Sequence, residues 1–302
     1  LADTSTLNYL ARLLEAGIAP LEASIRLLEI CPDEKLAIAQ LNNKLKLGRT
    51  LASSVHQAGF TSHLEHEILK VAEQAGKLTP ALHFISSNRQ KRKRRSRELR
   101  SRLLLSNVVI FIILTLYIIH LVTADGEIFP VLIATASIIA VTISITYLLL
   151  SLARNDATYW LSLGWRLGLH RSSKRFRRYS DYYFFTLFYW QSDAGIDYIV
   201  GAKTLSTLYD ADVYQASMAS YLQKINHGNS VFDALSNTGL LTSGELLQII
   251  QTSEKSGRLS HALHHYLTLD QPQIDASIDS VFTWIPRIYY VVIMLVGIAA
   301  LL

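Results

Sequence analysis

Glu73-Gln74-Ala75-Gly76-Lys77-Leu78 decides how this chain is read, because Glu254-Lys255-Ser256-Gly257-Arg258-Leu259 repeats its pattern about 181 residues later. Each stretch closes an apolar-periodic run. Each leads into a helix start (Thr79-Pro80 and Ser260) and an Ala-Leu-His triplet, Ala81-Leu82-His83 and Ala262-Leu263-His264. A glycine after a helix, followed by a basic residue and a leucine, makes the C-terminal cap and corner of a helical hairpin. The same corner twice predicts a duplicated helical unit.

Working back from the first corner, Thr4 caps a helix with Leu7, Leu10, Leu13 and Leu14 on one face, and Gly17 ends it. Pro20 suits the first turn of a second helix whose stripe is Leu21, Ser24, Ile25 and Leu28. A third helix runs to about Leu47 and stops at Gly48; Thr50 opens a short one through Val55. Thr61 or Ser62 starts the helix that reaches Gly76, with Glu65 as the capping-box partner of Ser62. The second half repeats the order: Gly195 answers Gly17, Gly228 with Ser230 answers Gly48 with Thr50, and Gly239 answers Gly59. Thr242 with Glu245 forms a second capping box before Gly257. Helices joined by short links, without β-alternation, predict an all-α bundle of about six helices per copy.

Between the copies the chemistry changes. Arg89, Lys91, Arg92, Lys93, Arg94, Arg95, Arg97, Arg100 and Arg102 crowd one segment, relieved only by Glu98. Leu103 to Thr123 then carries no charge and is long enough to span a bilayer as a helix. Ala124-Asp125-Gly126-Glu127 makes an acidic turn, Ile128 to Leu152 is a second uncharged run, and Arg154, Arg166, Arg171, Lys174, Arg175, Arg177 and Arg178 follow. Basic flanks with an acidic turn between them place both flanks in the cytoplasm, and Arg92, Lys93, Arg94, Arg95, Arg175, Arg177 and Arg178 are the orientation residues. A third apolar run begins near Val281, includes Pro286 and Arg287, and stops within Ala299-Ala300-Leu301-Leu302; with leucine at residue 1, this predicts a chain trimmed at both ends. No proline or glycine lies between Ala81 and Leu103, so the last helix of the first copy is expected to run unbroken into the first span.

Only 18% of the residues are charged and mean hydropathy is +0.24, a combination that soluble domains rarely show. The expected class is an all-α integral membrane protein with two repeated cytoplasmic six-helix bundles and three transmembrane helices, the third incomplete. The boundaries read as 1–102 for the first bundle with its basic juxtamembrane helix, 103–152 for a transmembrane hairpin, 153–281 for the second bundle with its basic linker, and 282–302 for the start of the third crossing.

Catalytic patterns are missing. There is no phosphate loop, dinucleotide fingerprint, nucleophile elbow or zinc-protease helix, so no enzyme activity and no cofactor is expected. Cys31 is the only cysteine, which excludes an internal disulfide. His261, His264 and His265 have helical spacing but no carboxylate or thiol beside them, so a helix face is expected there rather than a metal site. His120, inside the first span, is expected to make a polar contact. The arginine-rich stretch lies directly against an apolar run, which favours anionic lipid over nucleic acid. A glutamate in the last turn of a helix faces the negative end of the dipole, yet Glu73 and Glu254 both do. Three roles stand open: an i,i+4 ion pair with Lys77 or Arg258, acceptance of backbone N–H groups at the hairpin corner, or a charged docking point.

Taken together, the doubled Gly-x-Ser/Thr-aliphatic and Glu-x-x-Gly-x-Leu motifs, with spans after each copy, resemble the inner-membrane platform family of type II secretion and type IV pilus machines. The resemblance covers essentially the whole chain. Its family positions are Gly17, Gly48, Glu73, Gly76 and Leu78, then Gly195, Gly228, Glu254, Gly257 and Leu259. It departs where the family has a proline at the first span, here Ser106-Asn107, and Glu-Pro at the last, here Ile285-Pro286. The resemblance implies a non-enzymatic hub of the bacterial inner membrane, homo-oligomeric, that couples a hexameric cytoplasmic assembly ATPase to insertion of pilin or pseudopilin subunits alongside other inner-membrane assembly proteins. The alternative from another class is a subunit of a transporter or channel.

Overall fold

The structure, a computed structural model, describes residues 4–123, 136, 139–140, 142–151, 157–169, 173–206, 212–238, 240–241 and 244–301. Among the described residues the chain is all helical, with no strand. In order, the helices are α1 (Thr4–Glu15), α2 (Pro20–Ile30), a 3-10 turn (Pro32–Glu34), α3 (Lys35–Lys46), α4 (Leu51–Gln57), α5 (His63–Gln74) and α6 (Leu78–Thr123). Next come α7 (142–151), α8 (Ala157–Arg166), α9 (Lys174–Asp193), α10 (Tyr198–Ser206), α11 (Asp212–Asn226), α12 (Val231–Ser236), α13 (Gly244–Lys255) and α14 (Leu259–Leu301). The predicted acidic turn at 124–127, Gly239 and Thr242 lie outside the described residues.

The chain divides into two compact units, one of residues 1–90 and 156–274, the other of 91–155 and 275–302. The first holds both sets of short helices. Their starts form where side-chain oxygens meet orphan amides: Thr50 accepts from the Ser53 N–H, Ser230 from the Asp233 N–H, and Ser62 and Glu65 complete a reciprocal capping box. Leu7, Leu10, Leu27, Ile38, Leu41, Val55 and Leu69 are buried around α1–α5, and Phe185, Phe188, Leu205, Tyr221, Leu246 and Ile250 around α9–α13. The two sets touch within this unit: α9 packs on α5, and Phe84 meets Trp190 edge-on at 6.4 Å.

Helix α2 corrects the sequence reading. Its buried face is Ala23, Ser24 and Leu27, while Leu21 and Ile25 are exposed and Leu28 is half-buried. Small residues let α3 approach closely, and the Ser24 hydroxyl, accepting from Asn42 Nδ2 at 2.9 Å and donating to the Leu21 carbonyl, is satisfied without water.

The second unit is built on the distal parts of α6 and α14 with α7. Helix α6 does run unbroken from Leu78 to Thr123, 46 residues. Helix α14 runs unbroken too, from Leu259 to Leu301, although it contains Pro272 and Pro286. A proline costs a helix roughly 3 kcal/mol, and the flanking residues are held in place: Asp270 by Arg178, and Asp275 and Asp279 by Arg95. The third apolar run lies on the continuation of α14. Among the described residues no helix is long and apolar enough to cross a membrane. The side chains of 113, 114, 116–118, 120–123 and 293–302, and all of 124–135, on which much of the three predicted crossings rests, lie outside the described residues.

Candidate functional site

The recurring glycines and glutamates serve one piece of local architecture, built twice. Helix α3 ends at Gly48 (φ +74°), with Arg49 N–H reaching the Lys44 carbonyl, and two residues later Thr50 caps α4. Helix α5 ends at Gly76 (φ +69°), with Lys77 N–H on the Ala72 carbonyl at 2.7 Å. From the last turn of α5, Glu73 reaches back to the start of α4: Oε1 accepts from Leu51 N–H at 2.7 Å and Oε2 from Ala52 N–H at 3.1 Å. In the second half, Glu254 accepts from Val231 N–H at 2.6 Å and Phe232 N–H at 3.0 Å, and Gly257 (φ +68°) closes that helix.

The geometry answers the question of the two carboxylates. Neither makes the i,i+4 pair considered for it; Lys77 goes instead to Asp193. Each glutamate accepts backbone N–H groups, but those of another helix's first turn rather than of its own hairpin corner. With Thr50 or Ser230 taking a third amide, the free donors of a short helix are met by side chains. The carboxylate also lies at the positive end of that helix, which offsets its unfavourable place in its own last turn. Each carboxylate oxygen accepts one backbone N–H.

Leu78 and Leu259 begin α6 and α14, and Leu259 is buried. Gly17, Gly195 and Gly228 end α1, α9 and α11 in the same left-handed conformation.

Sequence reasoning missed three polar junctions. In the first, Asp193, at the end of α9, takes the Lys77 ammonium on Oδ2 and the Ser260 hydroxyl on Oδ1 at 2.9 Å. This partner, foremost, raises the Lys77 pKa above the ordinary lysine value. In the second, Arg89 lies buried, donating to both oxygens of Glu65 and to the Phe60 carbonyl at 2.6 Å. Asp270 occupies the answering place in the second half and is held by Arg178 from α9. That hydrogen bond raises the Arg178 pKa. The third lies in the other unit: Tyr289 donates to Asn107 Oδ1 at 2.8 Å, Asn107 Nδ2 donates to Thr146 at 3.2 Å, and the hydroxyls of Thr146 and Tyr289 are 3.0 Å apart. The findable sign was a polar residue on an apolar stripe, as in Leu82-Ile85-Arg89 and Leu263-Leu267-Asp270.

Of the residues assigned to orientation, Arg95 is bound to Asp275 and Asp279, and Arg178 to Asp270. Lys93, Arg94 and Arg175 are exposed, while Arg92 and Arg177 are half-buried. Among the described residues no group of His, Cys, Asp or Glu could hold a metal ion; His264 lies against the Tyr189 ring at 5.1 Å.

The arrangement defines a helical scaffold in which Glu73 and Glu254 serve helix starts, while Arg89, Arg95 and Arg178 are matched by acids. Residues 6–124 match the family described as type II secretion system (T2SS), protein F. No curated protein matches the chain.

Proposed function

We propose that the chain is the inner-membrane platform of a type II secretion or type IV pilus machine, a non-enzymatic hub that couples a cytoplasmic assembly ATPase to insertion of pilin or pseudopilin subunits into a filament. The observation that carries the reading is the protein F domain over 6–124, whose last helix continues without a break from Leu78 to Thr123. At 1.5 Å per residue such a helix is about 70 Å long, enough to join a cytoplasmic body to a bilayer.

In this reading the duplicated helical bodies are both cytoplasmic, and residues 103–123, 128–152 and the far end of α14 cross the bilayer. Exposed apolar side chains on the second unit support it: Val108, Phe111, Ile112, Ile143, Leu148, Val291 and Val292 face outward around a small core of Leu99, Leu103 and Tyr289. A channel subunit draws less support, because Asn107, Thr146 and Tyr289 satisfy one another rather than line a path. The test is co-purification of the full chain with the assembly ATPase of its own cell, together with filament assembly in a deletion strain. Binding of the ATPase and loss of filaments are expected; no binding and intact filaments would sink the reading.

A further inference from the structure

We propose that the exposed arginine face of α6, centred on Arg94, Arg97 and Arg100, binds the headgroups of anionic phospholipids and gathers them around the protein. The inference rests on the membrane reading above and adds to it a lipid class and a site.

Around residues 91–107, α6 has two faces of different chemistry. One carries Lys91, Arg95, Leu99, Leu103 and Asn107 and belongs to α14: Lys91 pairs with Asp275 at 2.5 Å, Arg95 pairs with Asp275 and Asp279, and Leu99 and Leu103 pack with Tyr289, Phe282 and Ile285. On that face the positive charge is matched by acids of the same unit. The other face carries Arg94, Arg97 and Arg100, all exposed, with the Arg94 side chain 81% open. Glu98 answers Arg94 at 2.8 Å and leaves that face strongly positive.

The next turns of the helix select the partner. Four residues beyond Arg100 the exposed side chains become apolar: Leu104 (54%), Leu105 (69%), Val108 and Phe111 (66%). Four residues are about 6 Å of helix, roughly the step from a phosphate to the start of its acyl chains. Helix α14 makes the same step at the same level, fixed by the packing of Ile285 and Tyr289 against Leu99 and Leu103. There Arg287 lies over the Trp284 ring at 5.1 Å, and Ile288 beyond it is exposed. Aromatic and cationic side chains at such a step are those that settle at a bilayer interface. A nucleic acid would meet the cations but gain nothing from the adjoining leucines and phenylalanine. A lipid with a negative headgroup matches both.

The full chain is reconstituted in vesicles of equal parts phosphatidylglycerol and phosphatidylethanolamine and extracted with styrene–maleic acid polymer, and the lipids retained are quantified by mass spectrometry. Phosphatidylglycerol is expected to be enriched about threefold or more over the starting mixture, given the surface attraction of several basic residues. The enrichment should vanish in R94Q/R97Q/R100Q and persist in R94K/R97K/R100K, which guards against a mere folding defect. A wild-type shell at the starting ratio overturns the proposal, as does a glutamine variant that keeps its enrichment. Loss of a co-purifying acidic protein instead of lipid overturns it in favour of a protein partner. If alkaline carbonate strips the chain from vesicles, the membrane reading itself falls; retention in the bilayer with no enrichment removes the lipid proposal alone.

Discussion

Lys77 and Asp193 tie the corner after α5 to the end of α9, the helix that precedes the second set of short helices. The same carboxylate holds Ser260, at the corner after α13, so one side chain joins both corners.

Breaking that tie should loosen the helices without unfolding them. The Lys77 side chain is 43% exposed, so a double-mutant cycle of Lys77→Met with Asp193→Asn should give a coupling of about 0.5 kcal/mol. Asp193→Asn should cost more than Lys77→Met, because it also weakens the Ser260 contact. Thermal unfolding of the full chain in detergent measures both, and equal losses would count against the shared role of Asp193.

Glu73→Gln and Glu254→Gln each remove a charged acceptor from two amides. A loss of about 1.5–3 kcal/mol per site is expected. Amide exchange should quicken first at Leu51 and Ala52 in the one variant, and at Val231 and Phe232 in the other. Exchange left unchanged at those amides would refute the capping role.

Arg89→Met leaves the buried Glu65 carboxylate without its cation, and about 3–5 kcal/mol of stability should go. Adding Glu65→Gln should recover part of it, since the uncompensated charge is then gone. Scanning fluorimetry of the two variants decides the order.

Acid should weaken the α4–α5 pair through His66. Burial, then the charge of His56 stacked 4.4 Å away, lowers its pKa below 6.5, while a hydrogen bond to the Ala52 carbonyl and nearby Glu67 act upward and Lys70 downward. The unfolded chain therefore takes the proton first: the stabilisation is whole above about pH 6.5 and is lost as pH falls through the folded value. The melting temperature should drop between about pH 7 and pH 5, and drop less in His66→Phe.

The helix ends were legible because their chemistry is local: Thr50, Ser62 with Glu65, Gly76 and Gly257 act within a few residues of themselves. Partners far along the chain were not. Nothing beside Glu73 indicates that it reaches back to Leu51, or beside Lys77 that its acid is Asp193. Arg89 was hidden by the cations that follow it, although only its place on the Leu82–Ile85 stripe separates a buried cation from a solvated one. The stripe of α2 was read only in part: Ser24 goes inward as expected, but Ala23 and Leu27 are buried beside it where α3 comes close, and Leu21 and Ile25 stay out. Pro272 and Pro286 both lie within α14, which continues through them from Leu259 to Leu301.

The contacts that α6 gives to α14 recur every fourth residue, at 91, 95, 99, 103 and 107. An α-helix turns about 100° per residue, so each step advances the seam about 40° round the axis in the helix's own right-handed sense. The two helices thus wind about each other along this seam, and sliding one along the other would have to break the contacts from the aspartates to Tyr289 together.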